Sequence, residues 1–489
     1  MNESDRHHFD LDEFARQAMI DRDMLPDFST DVNEELSGIQ SAPAPDPDLR
    51  DLRQLLWCSI DNDDSRDLDQ LSVAEQLPAG QVRIYVAVAD VDGVVKKGTA
   101  IDDHARHNTT SVYTAARIFP MLPEKLSTDI TSLNQDEERQ AMVSEMVVNE
   151  DGTVASSEIY RALVFNRAKL AYNAVDAWLD GRSEAPAPLA AIRGLDENIR
   201  LQSSVAQKMR ERRHELGALD LETIEPRAVR KDGRIVDLEL DLKNEPKELI
   251  EDFMIAANGA AARFLESRKF ASLRRVVRVP KRWDRIVAVA EEYGEHLPAD
   301  PDASALEEFL LRRRKADALR FPDLSLTIVK LLGSGEYVVT IPGSEPVGHF
   351  GLAVRDYSHS TAPNRRFPDL ITHRLLKAAL AGDKPPYSID ELRQLAEHCT
   401  EKEDDAAKVE RLVAKSAAAV LLAPRINERF DGVVTGASEK GTWVRIFRPP
   451  VEGKIIHGWE GLDVGDKARV KLVGTNPEKG FIDFVRTGK

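Results

Sequence analysis

The amino-acid sequence predicts an α+β fold: a β-sheet core flanked by helices, a small β-barrel at the C-terminus and a short acidic helical segment at the front. Three observations carry that prediction. Apolar runs of strand length, "LLWCSI" and "QVRIYVAVAD", lie early in the chain, with the turn signal "LPAGQ" at 77–81 ahead of the second. Longer stretches with a helical apolar period dominate the middle. From Glu428 the chain becomes glycine-rich, with several short strand-like segments.

The elements follow in order. With 489 residues, the chain exceeds one ordinary core, so one large domain plus smaller ones is expected. The boundaries fall at 1–50, 51–426 and 427–489. Residues 1–40 read as one or two short helices with acidic faces, and "SAPAPDPDLR" (41–50) reads as a proline-rich linker. Strands follow between Leu55 and Ala89. "VVNEDGTVASSEIYRALV" is a hairpin across Glu150–Gly152. Residues 166–216 read as helical, broken by "GRSEAPAPL". "RAVRKDGRIVDLEL" is a second hairpin turning at Asp232-Gly233. Residues 245–269 form a helix with Pro246 near its start and acids in its first turns. Helices are also expected over 368–382 and 403–426.

Composition excludes several classes. The balance of 42% hydrophobic and 31% charged residues is that of a globular protein. Cys58 and Cys399 are the only cysteines, which excludes a disulfide scaffold or a cysteine zinc cluster and fits a reducing cytoplasm. The N-terminus lacks an apolar signal core, and no apolar run is long enough to span a membrane. A net charge of −17 argues at first against nucleic acid as a partner. Its distribution weakens that argument. Residues 1–50 hold 13 Asp/Glu against 4 Lys/Arg, whereas 263–285 hold 9 Lys/Arg against 2 Asp/Glu. Such a basic cluster either grips a phosphate backbone or is a solvated helix face.

The richest segment is "CSIDNDDSRDLDQLSV", with five aspartates between Asp61 and Asp69. Aspartates this close repel, so a positive partner is expected. Simple turns are one alternative. An EF-hand fails, because Arg66 stands where the loop needs glycine and Ser72 where it needs a bidentate glutamate. A D-x-D phosphatase nucleophile fails, because Asp67-Leu68-Asp69 does not follow an apolar strand. A hard-cation site for phosphodiester chemistry remains.

Further segments sharpen this. "SIDNDDSRDLDQ", "VADV" (88–91), "TSVYTAARIFPMLPEKLSTDITSLNQDEERQAM" (110–142), "LIEDFMIAAN" (249–258) and "YSHSTAPNRRFPDLITHR" (357–374) occur in the order of the ribonuclease II (RNB) family. The chain resembles that family over roughly residues 55–425. The tail 430–484 resembles an S1 domain, an OB-type barrel, with Trp443 and Phe447 as candidate stacking residues and a buried core role as the alternative for Trp443.

The resemblance implies a Mg²⁺-dependent, hydrolytic 3′→5′ exoribonuclease that acts on single-stranded RNA and releases nucleoside 5′-monophosphates. It implies that Asp61, Asp67 and Asp69 hold the metal, with Asp69 the carboxylate most needed for cleavage. Gln70 stands where the family has a fourth aspartate. An amide still ligates but carries no charge, so weaker metal binding or a shift towards Mn²⁺ is expected. Asp63 and Asp64 either compensate or face solvent. Tyr113 matches the aromatic that stacks on the terminal base, and Arg365, with Arg366 after it, the arginine that grips the scissile phosphate. Glu251 and Asp252 match an acidic pair near the RNA 3′ end, Glu410 another acid of the channel; His104 and His359 are either near the phosphate or structural. "TAPNRRF" departs from the family's "TSPIRRY" around the arginines. The competing implication is a catalytically silent RNA-binding relative, because of Gln70 and because cold-shock barrels do not fit in the roughly 50 residues before the catalytic segment. The acidic leader is expected to fold over a basic channel as an RNA mimic, so that deleting residues 1–40 raises RNA affinity. A monomer is assumed.

Overall fold

A computed structural model describes residues 9–489, apart from 223–225, 232–233, 241–242, 319, 346, 439–440 and 488–489. Two helices come first, α1 (Leu11–Ile20) and α2 (Thr30–Gly38). Asp10 caps α1 by accepting from the Asp12 and Glu13 amides, and Ser29 caps α2 through the Val32 amide. Their charged faces are solvated, but Ala15, Ala18 and Met19 of α1 are buried.

The main sheet has seven strands: β1 (Arg50–Asp51), β2 (Cys58–Asp61), β3 (Gln70–Gln76), β4 (Val82–Ala89), then β7 (Glu138–Val148), β8 (Val154–Phe165) and β9 (Ala168–Ala171). Between β4 and β7 come α3 (Ala100–Asn108) and a small hairpin of β5 (Val112–Tyr113) and β6 (Ile118–Phe119). The spatial order is β1-β8-β7-β4-β3-β2-β9. Central β4 is almost wholly buried, which explains its unbroken apolar run. Strand β3 pairs with β4 along its whole length, from Gln70 opposite Val88 to Gln76 opposite Val82. Its mixed sequence, QLSVAEQ, hid it from the apolar pattern. Residues 168–171, expected as helix, instead pair with β2 as a parallel strand.

The helices of 172–215 are α4 (Tyr172–Leu179), α5 (Ala187–Ala190) and α6 (Leu195–Glu215). Helix α6 lies across β3. Its Asn198 bonds both backbone groups of Ala74, at 2.7 and 3.3 Å, and its Gln202 takes the Ser72 hydroxyl at 2.7 Å. The hairpin β10 (Pro226–Lys231) and β11 (Arg234–Leu240) forms as expected; its turn at Asp232-Gly233 lies outside the described residues. Helix α7 (Glu245–Ser267) matches its prediction, with Asn244 as cap and Pro246 in the first turn.

The basic stretch 263–285 is not one surface. Strand β12 (Ser272–Val276) pairs with β13 (Glu336–Thr340) and carries Arg274, only 2% exposed, and Arg275, which bonds Glu403 at 2.8 Å. Beyond it, α8 (Trp283–Glu292), α9 (Ala303–Ala316) and α10 (Phe321–Leu332) enclose their own core around Trp283, Phe309 and Phe321. Helix α11 (Phe367–Ala381) follows the arginine motif. Helix α12 (Ile389–Leu422) begins 14 residues earlier than the apolar pattern suggested, capped by Ser388. No helix among the described residues is long and apolar enough to cross a membrane.

The tail is a closed barrel, β14 (Arg429–Ser438), β15 (Gly441–Ile446), β16 (Glu452–His457), β17 (Lys467–Asn476) and β18 (Phe481–Arg486), in the order β14-β15-β16-β18-β17. Along β15, Thr442, Val444 and Ile446 are buried while Trp443 alternates outward. Trp443 is therefore a half-buried surface residue packed over Gly436, where a Cβ would meet its ring at 3.3 Å. Phe447 is exposed.

Candidate active site

The aspartate run leaves the sheet at the end of β2 and re-enters it at the start of β3. Repulsion among its carboxylates is resisted by a brace from Ser132 and Leu133. The Leu68 amide donates to Ser132 Oγ at 3.0 Å, the Leu133 amide to the Leu68 carbonyl at 2.9 Å, and Ser132 Oγ to the Arg66 carbonyl at 2.9 Å. Asp63 and Asp64 sit at the exposed tip of the run.

The three aspartates in nuclease register are each held by one oxygen. Asp61 Oδ1 accepts from the Asn62 amide (2.7 Å) and Ser65 Oγ (2.8 Å). Asp67 Oδ2 accepts from the Tyr113 hydroxyl at 3.2 Å. Asp69 Oδ1 accepts from the Asn364 amide at 3.0 Å. Asp69 is 2% exposed, and its Oδ2 has no hydrogen-bond partner; Arg365 Nε stands 3.6 Å away. Burial pushes the Asp69 carboxyl up to about 7, against the pull of Arg365 and of the Asn364 amide. Burial raises Asp61 as well, and the Asp67 charge adds to it.

The loop that brings Asn364 and Arg365 is tied to the segment carrying Tyr113. The Ser111 amide donates to the Arg365 carbonyl at 2.9 Å, and the Phe367 amide to the Thr109 carbonyl at 2.8 Å. Tyr113 stands 41% exposed on its two-residue strand, with its amide donating to Glu410 Oε1 at 2.8 Å. Asp61, Asp67, Asp69, Tyr113 and Arg365, spread over three sequence segments, thus converge, with Glu410 behind the tyrosine.

Other expected residues do not join them. Gln70 opens β3, half-buried, and no hydrogen bond joins it to the three aspartates. Arg366 turns inward and pairs with Asp369 at 2.8 Å, a contact within the fold rather than with the three aspartates. Asp252 is 2% exposed, with one carboxylate oxygen on Arg210 and the other on Arg213 of α6, so both oxygens are engaged by arginines within the fold. Glu251 is exposed and pairs with Lys243 at 2.9 Å. His104 is buried, which lowers it to about 4, and His359 is buried against the Tyr337 hydroxyl at 2.7 Å; both are structural. Sequence reasoning missed Asn364 and the brace from Ser132 and Leu133. The signal for Asn364 was the departure "TAPNRRF"; Ser132 and Leu133 of the brace lie inside the family-like stretch 110–142, but the pattern does not say what they hold.

A divalent cation suits this donor set in part. Among the described residues, no three His, Cys, Asp or Glu side chains lie close enough together to hold a metal by themselves. Yet the buried Asp69 Oδ2 lacks a hydrogen-bond partner, and hard oxygen ligands are what Mg²⁺ takes, commonly one or two carboxylates completed by substrate phosphates.

Comparison with known proteins places the chain in a family. The RNB domain matches residues 49–382, and an RNase II-type exonuclease C-terminal S1 domain matches 428–487. Ribonuclease R of Escherichia coli (strain K12) is 32% identical over 470 residues, covering 89% of this chain; the match spans 57% of the relative's length. Mycoplasma genitalium RNase R, solved without RNA and in complex with ribose-methylated single-stranded RNA, superposes in both cases with a TM-score of 0.86 at 21% identity, over 98% of this chain and 78% of that one. Yeast Ssd1, a pseudonuclease, shares the fold with a TM-score of 0.71 at 16% identity, over 91% of this chain and 55% of that one. The chain belongs to the RNB domain family and ends in the S1 domain typical of RNase II-type exonucleases.

Proposed function

We propose that this protein is a hydrolytic 3′→5′ exoribonuclease acting on single-stranded RNA in the cytoplasm, with Mg²⁺ as its metal or Mn²⁺ in its place, and releasing nucleoside 5′-monophosphates. One observation carries the reading: a buried carboxylate, Asp69, has one oxygen fixed by the Asn364 amide and the other without a hydrogen bond, opposite Arg365. Asp61 and Asp67 would share the cation with Asp69. When bound, such an ion supplies an acidified water and charge at the leaving 3′ oxygen. Arg365, with its side chain 44% exposed, meets the scissile phosphate and offsets developing charge. Tyr113 offers an open ring face for the terminal base, a contact that tolerates any base. Relatives of the same fold support RNA as the partner, since the Mycoplasma genitalium enzyme was solved with it.

A 5′-labelled single-stranded RNA incubated with Mg²⁺ or Mn²⁺ should yield a ladder shrinking from the 3′ end. Asp69→Asn should abolish turnover and leave RNA binding largely intact; normal degradation by that variant would refute the assignment. The second reading, an RNA-binding protein without catalysis, is favoured by Gln70 and by the absence of a three-ligand cluster among the described residues. It expects a shifted but intact band. Gln70→Asp should raise both activity and metal affinity under the first reading.

A further inference from the structure

The three carboxylates share a pattern: each has one oxygen fixed by a protein donor while, among the described residues, its other oxygen accepts no hydrogen bond. For Asp61 and Asp69 the fixing donors are backbone amides, helped at Asp61 by Ser65. For Asp67 the donor is a side chain, the Tyr113 hydroxyl, and among the described residues it is the sole hydrogen bond to that carboxylate. Asp67 sits half-buried on the loop between β2 and β3, and among the described residues no other hydrogen bond or ion pair holds its side chain. Tyr113 is itself well held. Its amide is bonded to Glu410, and its hairpin rests Val112, Ala116 and Phe119 on α1 and α12.

We propose that the Tyr113 hydroxyl positions Asp67, so that one side chain both meets the terminal base and sets a carboxylate of the metal site. This rests on the exoribonuclease reading above and adds a role for the hydroxyl that stacking does not require. A nucleotide seated on the ring restrains it and with it the hydroxyl, so that occupation of the 3′ end and the order of Asp67 become linked. Partners that orient a ligand from behind are commonly worth about 10–100-fold in metal affinity or activity.

The test compares the full chain with Tyr113→Phe, Tyr113→Leu and Asp67→Asn. Mn²⁺ binding is read by electron paramagnetic resonance without RNA, and KM and kcat are read on single-stranded RNA. Tyr113→Phe should keep the RNA KM, weaken Mn²⁺ binding about tenfold and lower kcat by a similar factor. Tyr113→Leu should raise KM as well. In the Asp67→Asn background, Tyr113→Phe should have a much smaller effect on Mn²⁺ binding, because the amide oxygen that remains carries no charge and accepts a weaker hydrogen bond. Wild-type Mn²⁺ affinity in Tyr113→Phe, tighter binding, a full effect in the Asp67→Asn background, or no Mn²⁺ binding by the wild type would each overturn the proposal. If the wild type binds Mn²⁺ but leaves RNA intact, the exoribonuclease reading fails while the Mn²⁺ comparison still decides the hydroxyl's role.

Discussion

Asp69 shows how burial and function pull against each other in one residue. Its folded carboxyl lies near 7, against an ordinary 3.8, because desolvation outweighs Arg365 and the Asn364 amide. A carboxyl raised on folding stabilises the fold below its unfolded value, and that contribution is lost as pH rises through its folded value. In metal-free protein the contribution of Asp69 to stability therefore falls between about pH 4 and pH 7, by at most about 4 kcal/mol. Above pH 7 the bare charge is exposed to the full cost of burial, and a cation relieves it. Mg²⁺ should thus raise the melting temperature more at pH 8 than at pH 5.5, and Asp69→Asn should remove most of that difference. Equal shifts at both pH values would contradict the account. Asp252 is the opposite case. It matched a functional motif, yet it is committed to two arginines. Removing one partner of a buried ion network commonly costs about 3 kcal/mol. Asp252→Asn should lose roughly that much in denaturant unfolding, with little change in RNA affinity.

At the scale of elements, the acidic leader proves to be a buttress. Ala15, Met19 and Met24 are buried with Val112, Ala116 and Phe119 of the Tyr113 hairpin and with Val409 and Val413 of α12. Asn108 bonds both backbone groups of Leu25 at 2.8 Å, and Lys402 bonds the Asp23 carboxylate at 3.2 Å. A loose mimic over the channel would not be packed this way. Burial of each large apolar side chain is worth about 1.5–3 kcal/mol, so removing residues 1–40 should destabilise the fold rather than free the channel. Met19→Asp offers a milder test. It should lower the melting temperature and reduce RNA affinity through the Tyr113 hairpin; increased RNA affinity at unchanged stability would restore the mimic. The outline of these helices was legible from capping residues and acidic faces. Their docking was not, because Ala15 and Ala18 carry too little hydrophobic signal to mark a buried face.

Across the whole molecule, the barrel is fastened to the catalytic body rather than strung from it. Arg445 of β15 bridges Asp323 of α10 with contacts of 2.8 and 3.3 Å, while Ala418, Ala419 and Leu422 of α12 and Leu238 of β11 enter the barrel's core cluster. Burial raises the Asp323 carboxyl, and Arg445 opposes that rise. Arg445→Ala leaves a buried carboxylate unpaired and should speed proteolytic cutting near residues 423–428, with a smaller effect on trimming of short RNA. An unchanged cleavage rate would mean that the α12 contact alone holds the barrel.

The sequence by itself determined the fold class, the β4 core strand, helix α7 and the strand-rich tail, because apolar periodicity and turn residues are local properties, while Asp61, Asp67, Asp69, Tyr113 and Arg365 were singled out by the family resemblance of the motifs that carry them. Tertiary structure decided which candidates meet. It turned Arg366 and Asp252 into interior ion pairs, set Trp443 on the barrel surface, split the basic run between core and exterior, and brought Asn364 to Asp69 across 295 residues of chain. These outcomes depend on which side chain loses water and which partner stands opposite it after folding, and neither is written in a residue's immediate neighbours.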